Sequence, residues 1–157
     1  MDKSMKMTIL ETISSVFETM FFTFLEPLPR IPRKEEWPID IKYIKAAISF
    51  TGMGGGEVAI YLPRDLARNI TINFLGVTRS EVSQNQILDT AKETANMAVG
   101  SLLGTIDPEG QCFLGIPEAM PVVNLEEEAE LNDINQLVGF KTDSGMFLVY
   151  VKIGDVV

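Results

Sequence analysis

The sequence contains no histidine and a single cysteine, and each gap excludes a class of chemistry. Catalytic triads with an imidazole base, HExxH zinc sites and histidine phosphotransfer all require a histidine. Cys112 alone can form neither an internal disulfide nor a cysteine-rich metal site. Its apolar neighbours, residues 111–116, favour a packed side chain over a nucleophile. This cysteine usage is typical of a reducing compartment, and we expect a cytoplasmic protein.

Basic residues and long apolar runs are also scarce. The 13 basic and 22 acidic residues give a net charge of −9, which disfavours binding to a nucleic-acid backbone. The longest run without a charge, residues 94–106, is shorter than the roughly 20 residues that span a bilayer. Lys3 and Lys6 precede an apolar stretch, but Glu11 and Glu18 interrupt it. We therefore expect neither membrane insertion nor a signal peptide.

What is present fits one globular domain. The chain has 157 residues, of which 46% are hydrophobic, enough for one sizeable core. A proline-rich, charged segment, residues 27–38, follows the first apolar stretch. It is interpreted as a surface connector, because no independent core precedes it. We predict a single domain that covers residues 1–157.

Helical spacing of apolar residues predicts an amphipathic helix over residues 7–25. Its inward stripe comprises Ile9, Leu10, Ile13, Val16, Phe17, Met20, Phe21 and Phe24. Pro63 and Gly76 are suited to begin and end a second helix, with Leu66, Ile70 and Phe74 on one side. Both helices should bury one face.

Two hairpins are predicted. Residues 42–50 and 57–62 flank the glycine-rich segment 52–56, and residues 136–141 and 146–153 flank 142–145. The glycine-rich segment lacks the GK[ST] ending of a P-loop, which favours a hairpin over a phosphate-binding loop.

Two further segments complete the assignment. Residues 111–117 are predicted to form a buried strand. The acidic residues Glu126, Glu127, Glu128, Glu130 and Asp133 are interpreted as a solvated loop rather than a metal site.

The third helix carries the most informative pattern. Ser83 and Gln86 form a capping box that predicts a helix from there to about Gly104. At about 100° per residue, Asp89, Glu93 and Asn96 fall within about 60° of one another, with Gly100 on the same line. The opposite side carries Ala91, Ala95, Ala98 and Leu102, with Leu88 and Thr94 at its margins. This polar line is either an ordinary solvated face or a surface that contacts another molecule.

These residues carry a resemblance to a known family. Asp89, Glu93 and Asn96, followed by Gly100, resemble the [S/D]-x3-E-x2-N signature of the CheC/CheX/FliY phosphatases of bacterial chemotaxis. The order of elements agrees from about residue 5 to residue 153. The resemblance implies an α+β fold, in which two long helices pack on an antiparallel sheet.

The resemblance also implies a function. Family members accelerate loss of the phosphoryl group from the aspartyl phosphate of a CheY-like receiver. For this chain, the resemblance implies that Asn96 places the attacking water and that Glu93 binds the receiver's active-site lysine. Asp89 and Gly100 take supporting, partner-binding roles. The chain needs no cofactor or metal of its own, since in this family the receiver supplies Mg²⁺.

A second, incomplete copy of the signature lies on the first helix, where Ser14 and Glu18 are followed by Phe21 in place of asparagine. A phenyl ring cannot orient water, so one site is expected, as in the CheX branch. The family and the open edges of an antiparallel sheet predict a homodimer formed away from the signature helix. Two alternatives remain: a non-catalytic module that binds a receiver or flagellar-switch partner, and a structural domain with a fortuitous motif.

Overall fold

The computed structural model describes residues 1–154, which form three α-helices and one seven-stranded antiparallel sheet. The helices are α1 (Lys3–Phe21), α2 (Arg64–Leu75) and α3 (Gln84–Ile106). The strands are β1 (Glu26–Pro27), β2 (Tyr43–Thr51), β3 (Gly56–Pro63), β4 (Phe113–Leu114), β5 (Glu118–Val122), β6 (Leu137–Thr142) and β7 (Gly145–Ile153). The predicted α+β class, with an antiparallel sheet and two long helices, is confirmed. None of the helices within residues 1–154 is long and apolar enough to cross a membrane.

The sheet is built around the two predicted hairpins, both of which are present. Its strand order is β1-β6-β7-β3-β2, and β4 and β5 both pair with β2 at the far edge. In the β2–β3 turn, Gly52 has a positive φ of 91°, and a Cβ there would lie 2.2 Å from the carbonyl oxygen of Gln111. The turn therefore requires glycine for both its backbone conformation and this close approach.

The helices cover one face of the sheet through a continuous apolar core. From α1, the buried residues are Ile9, Ile13, Val16, Phe17 and Phe21. The Phe17 ring lies edge-on to Phe147 of β7, with centroids 5.1 Å apart, and Phe147 makes a similar contact with Phe140 of β6. Each such pair contributes about 0.5–1.5 kcal/mol beyond its buried area. The aromatic side chains thus fix α1 against the sheet.

The end of α1 differs from the prediction. The helix stops at Phe21, because Phe22 adopts a left-handed conformation with φ 53°. Phe24 therefore leaves the helical spacing and is 77% exposed. Met20 lies in the last turn, with no following turn to cover it, and is also exposed. Their assignment to the core was wrong.

The opposite face of the sheet is covered by irregular chain. Trp37, from the proline-rich connector, is buried, and its indole N–H donates to the carbonyl oxygen of Pro32 at 2.9 Å. It packs in a second cluster with Tyr43 and Tyr61 of the sheet. The connector was expected to lie on the surface, but at Trp37 it closes this face.

The acidic segment forms three short 3₁₀ helices across the same face, at Leu125–Glu127, Ala129–Asn132 and Ile134–Gln136. Glu126, Glu127 and Asp133 are exposed, as predicted. Glu128 and Glu130 are half-buried instead, because both pair with Lys45 of β2; the Glu128 contact is 3.6 Å. These two carboxylates attach the segment to the sheet.

The strand predicted over residues 111–117 is present only at Phe113–Leu114, and its predicted burial was wrong, because the Phe113 side chain is 71% exposed. The backbone N–H of Gly115 adds one hydrogen bond to the carbonyl oxygen of Ser49 in β2, at 2.7 Å. The carboxylate of Asp107 accepts the backbone N–H groups of Gln111 and Cys112, at 3.0 and 2.7 Å, which turns the chain after α3. These hydrogen bonds also lower the pKa of the Asp107 carboxyl.

A second strand of this edge, β5, was not predicted from the sequence. It contains Pro121, a residue that argues against a strand in a sheet interior. At an edge its missing N–H is tolerated, since that position has no outer neighbour. Together, β4 and β5 form an irregular edge next to β2.

Candidate functional site

Helix α3 is fixed at both ends. The Ser83 hydroxyl accepts the Gln86 N–H at 3.1 Å, and the Gln86 side chain accepts the Ser83 N–H at 2.9 Å. The predicted capping box is therefore confirmed, and it satisfies two backbone donors at once. At the other end, the Asp107 N–H donates to the carbonyl oxygen of Leu103 at 2.8 Å. These contacts fix the direction in which the helix presents its side chains.

The two sides of α3 differ as predicted. One side is buried against the sheet and the other helices through Ile87, Thr90, Ala91, Thr94, Ala95, Ala98, Val99, Leu102 and Leu103. On the other side, Asp89 and Glu93 are exposed, and Asn96 and Gly100 are half-exposed. Burial of this polar line would have favoured the alternative of a structural domain with a fortuitous motif. Instead, the line is accessible to another molecule.

The polar side chains of this line make few contacts with the rest of the chain. Asp89 Oδ1 lies 3.8 Å from Lys92 Nζ, and the Asp89 side chain is 77% exposed. Such an exposed pair contributes at most about 1 kcal/mol. Within residues 1–154, Glu93 and Asn96 have no side-chain hydrogen bond or ion pair. One helical turn apart, a carboxylate and a carboxamide are therefore free to bind the same partner.

Gly100 continues this line without being required by the fold. A Cβ at this position would lie 3.8 Å from Leu114 Cδ1, an ordinary van der Waals distance. Gly104, one turn later, has open space around it. Neither glycine has a positive φ. The structure therefore contains no internal reason for glycine at position 100.

Gly100→Ala should raise the free energy of unfolding by roughly 1 kcal/mol, because alanine loses less backbone entropy in a helix. Urea denaturation measures the change. Gly104→Ala is the matched control and should give a gain of similar size. A loss of stability confined to Gly100→Ala would show that the fold does require this glycine.

A groove beside the polar line was not predicted from the sequence. It has a volume of about 450 Å³ and is lined by Phe74 and Leu75 of α2 and by Gln86, Asp89, Thr90 and Glu93 of α3. Phe74 was expected on the inward side of α2 with Leu66 and Ile70, but its ring is 40% exposed. The spacing of residues along one helix predicts the direction of each side chain. It does not predict where α2 and α3 separate, and the groove depends on that separation.

The incomplete copy of the signature on α1 does not form a second polar line. Phe21, which replaces the asparagine, is fully buried, and its ring contacts Phe17 and Phe74 at centroid distances of 5.4 and 5.8 Å. Glu18 is exposed and Ser14 is half-buried. The position equivalent to Asn96 thus belongs to the core, as expected.

Two other candidate chemistries find little support in the described residues. Cys112 is half-buried, with its Sγ 3.7 Å from the Gly52 carbonyl oxygen, and desolvation raises the pKa of the thiol. This shift is opposite to that of an activated nucleophile. Within residues 1–154, no group of three or more His, Cys, Asp or Glu side chains could hold a metal ion.

Comparisons with known proteins identify a matching family and solved structures with a similar fold. The family model described as chemotaxis phosphatase CheX matches residues 44–138. The chemotaxis protein CheX from Desulfovibrio desulfuricans is 15% identical with a TM-score of 0.70, over 96% of this chain and 99% of that chain. A CheX–CheY–BeF₃–Mg²⁺ complex from Borrelia burgdorferi contains a chain 14% identical with a TM-score of 0.67, over 94% and 96%. FliY from Thermotoga maritima is 12% identical with a TM-score of 0.61, over 99% and 92%. A search of curated proteins found no match.

The α+β architecture thus places the chain in the structural class of the CheC, CheX and FliY proteins. At these identities, the solved structures show the fold alone. The family model is more specific and covers over half of the sequence. The chain belongs to the CheX family of chemotaxis phosphatases, and the family predicted from the signature is confirmed.

Proposed function

We propose that this chain dephosphorylates the aspartyl phosphate of a CheY-type receiver, with Asn96 and Glu93 as its catalytic residues. The observation that carries the proposal is the exposed polar line of α3, where both side chains lack partners within residues 1–154. The family membership supports the same reaction, since the family is described as chemotaxis phosphatases. A related fold has been crystallised with CheY, BeF₃ and Mg²⁺, which supports a receiver as the partner.

The chemistry suits these side chains. An acyl phosphate is already labile, so the catalyst gains mainly by placing a water molecule in line with the breaking bond. The water oxygen bonds to phosphorus, the bond from phosphorus to the aspartate oxygen breaks, and inorganic phosphate and a free carboxylate result. The Asn96 carboxamide orients this water through hydrogen bonds. No histidine base is needed, in agreement with the composition.

Glu93 has a different role. Its carboxylate pairs with the receiver's active-site lysine, which sets the register between the two proteins. Asp89, one turn earlier, adds negative charge at the same interface, and Gly100 lets the receiver approach α3 closely. The Mg²⁺ that neutralises the phosphoryl oxygens belongs to the receiver in this proposal.

The direct test is single-turnover loss of phosphate from purified, phosphorylated CheY-type receivers of the same organism. The chain should accelerate this loss from at least one receiver in the presence of Mg²⁺. Autodephosphorylation of each receiver alone is the baseline. If the chain binds an activated receiver and its rate of phosphate loss stays at this baseline, the phosphatase proposal is wrong.

A second candidate function is a non-catalytic module that binds a receiver or a flagellar-switch partner through the same helix. The likeness to FliY and to a chain of the FliG–FliM complex from H. pylori favours it. The latter has a TM-score of 0.52 and 14% identity. Docking alone would not require a carboxamide beside the carboxylate. The presence of both Glu93 and Asn96 therefore favours the phosphatase over the docking module.

A two-fold homodimer remains part of the proposal. It should form away from α3, so that both polar lines stay open. The β5 strand offers an unpaired edge for it, where Met120 is 44% exposed. Met120 lies opposite Lys45 of β2, whereas Leu114, which lies near Gly100, is opposite Phe50 toward the other end of that strand.

Light scattering should therefore give twice the mass of the chain at tens of micromolar protein. Met120→Asp should shift the mass toward that of one chain, because it places a carboxylate at the edge. Met7→Asp, at a similarly exposed position on α1, is the control and should leave the mass unchanged. A monomer mass for the unmodified protein would refute the dimer.

A further inference from the structure

The groove between α2 and α3 has two chemically different walls. Asp89 and Glu93 of α3 form an acidic wall. Phe74 and Leu75 form an apolar wall at the end of α2, where they are 40% and 44% exposed. Thr90, which is buried, forms the floor. The acidic wall is part of the polar line of the proposed site, so the groove and the polar line form one continuous surface.

The apolar wall is held in place by contacts with the rest of the fold. The Phe74 ring lies edge-on to the buried Phe21 ring, at 5.8 Å between centroids. The side-chain amide of Asn73 donates to the Phe21 carbonyl oxygen at 3.0 Å. Gly76 ends α2 in a left-handed conformation and donates its N–H to Ile72 at 2.9 Å. Because the wall is already ordered, its own side chains lose little conformational entropy when a partner binds.

This combination indicates the chemistry of the occupant. The carboxylates of the acidic wall attract a cation, and the chain as a whole has a net charge of −9. The exposed phenyl and leucyl groups gain most by contact with an apolar side chain. An occupant that satisfies both walls presents a basic residue beside an apolar one. Because Glu93 lines both the polar line and the groove, a lysine bound by Glu93 would lie at the edge of this groove.

We propose that the groove receives an apolar side chain of the receiver next to the lysine bound by Glu93, and that Leu75 determines the affinity for that receiver. The inference rests on the proposed function, since Glu93 forms part of the acidic wall. Leu75 touches neither the phosphoryl group nor the attacking water in this arrangement. It is a positioning residue that acts through binding.

Leu75→Ser should weaken binding of a receiver activated with BeF₃⁻ and Mg²⁺ by roughly tenfold, the size expected for truncating an apolar anchor at an interface. Calorimetry measures the affinity. The rate of phosphate loss at saturating phosphorylated receiver should be unchanged, because Asn96 and Glu93 are intact. The effect should thus fall on KM and leave kcat unaltered.

Two further variants separate binding from folding. Leu75→Met keeps an apolar side chain of similar volume and should retain the parental affinity. Met7→Ser removes a comparably exposed apolar side chain from α1, 50% exposed, and should leave receiver binding unchanged. Thermal unfolding of all variants checks the fold. Amides near the end of α2 should also gain protection from hydrogen exchange when the receiver binds.

The outcomes distinguish this inference from the function on which it rests. If the parent and Leu75→Ser bind and dephosphorylate the receiver equally, the groove is not part of the interface, and the phosphatase proposal stands. An equal loss of affinity in Met7→Ser would also refute the groove, because the effect would not be local. If the parent binds no receiver, both proposals fail together.

Discussion

Replacing Asn96 with alanine should slow the loss of phosphate from a phosphorylated receiver by about a hundredfold, the scale associated with misplacing a reacting group by about 1 Å. Affinity for the activated receiver should barely change, because the Glu93 contact remains. Stability should also be preserved, since alanine is the better helix former and the Asn96 side chain has no partner within residues 1–154. Single-turnover kinetics and calorimetry on the same receiver measure the two effects.

The same helix provides a matched control for this prediction. Asn85 is also exposed and lies about 16 Å from Asn96 along the helix axis. Asn85→Ala removes an identical carboxamide and should leave the rate unchanged. If Asn96→Ala dephosphorylates the receiver as fast as the parent, Asn96 has no part in the mechanism. Loss of turnover with binding retained would favour the phosphatase over the docking module.

Glu93→Lys should lower the affinity for the receiver by at least about 30-fold without unfolding the protein. The side chain is exposed and has no partner within residues 1–154, so its replacement should change stability by less than about 0.5 kcal/mol. At the interface, a lysine would face the receiver's own lysine. Loss of one partner from a desolvated charge pair costs roughly 2–5 kcal/mol, a decrease in affinity of about 30-fold to more than a thousandfold. Calorimetry with a BeF₃⁻-activated receiver measures it.

Net charge must be separated from this local effect. Glu11→Lys, at an exposed position on α1, makes the same change in total charge and should leave affinity nearly unaltered at physiological salt. Glu93→Gln removes the charge without adding repulsion and should give an intermediate loss. Unchanged affinity in Glu93→Lys would show that this carboxylate does not anchor the receiver.

The polar line of α3 was predictable because it depends on local sequence alone. The capping box at Ser83 defines where the helix begins, and its spacing then determines which side chains share a face. The hairpin turns follow from glycine in the same local way, as at Gly52. For Asp89, Glu93 and Asn96, the exposure expected from this spacing is what the structure shows. Their catalytic roles remain a prediction.

Two of the errors, at the acidic segment and at Trp37, lie where partners distant in sequence decide the outcome. Glu128 and Glu130 have the composition of a solvated loop, yet Lys45 of β2 binds both. Trp37 lies among prolines and charges, but the uncovered face of the sheet buries it. In each case a contact with the sheet outweighs the local preference for solvent.

By itself, the sequence determined the two hairpins and the direction of the polar line, because helix caps, glycine turns and hydrophobic periodicity act over a few neighbouring residues. The α+β class followed from the family resemblance of the signature. Only the tertiary structure decided that Phe74 and Leu75 form the apolar wall beside Glu93, and that residues 111–117 lie at an exposed sheet edge. Both features depend on how separate elements pack, and the spacing of residues within one element carries no information about the neighbour that will cover it.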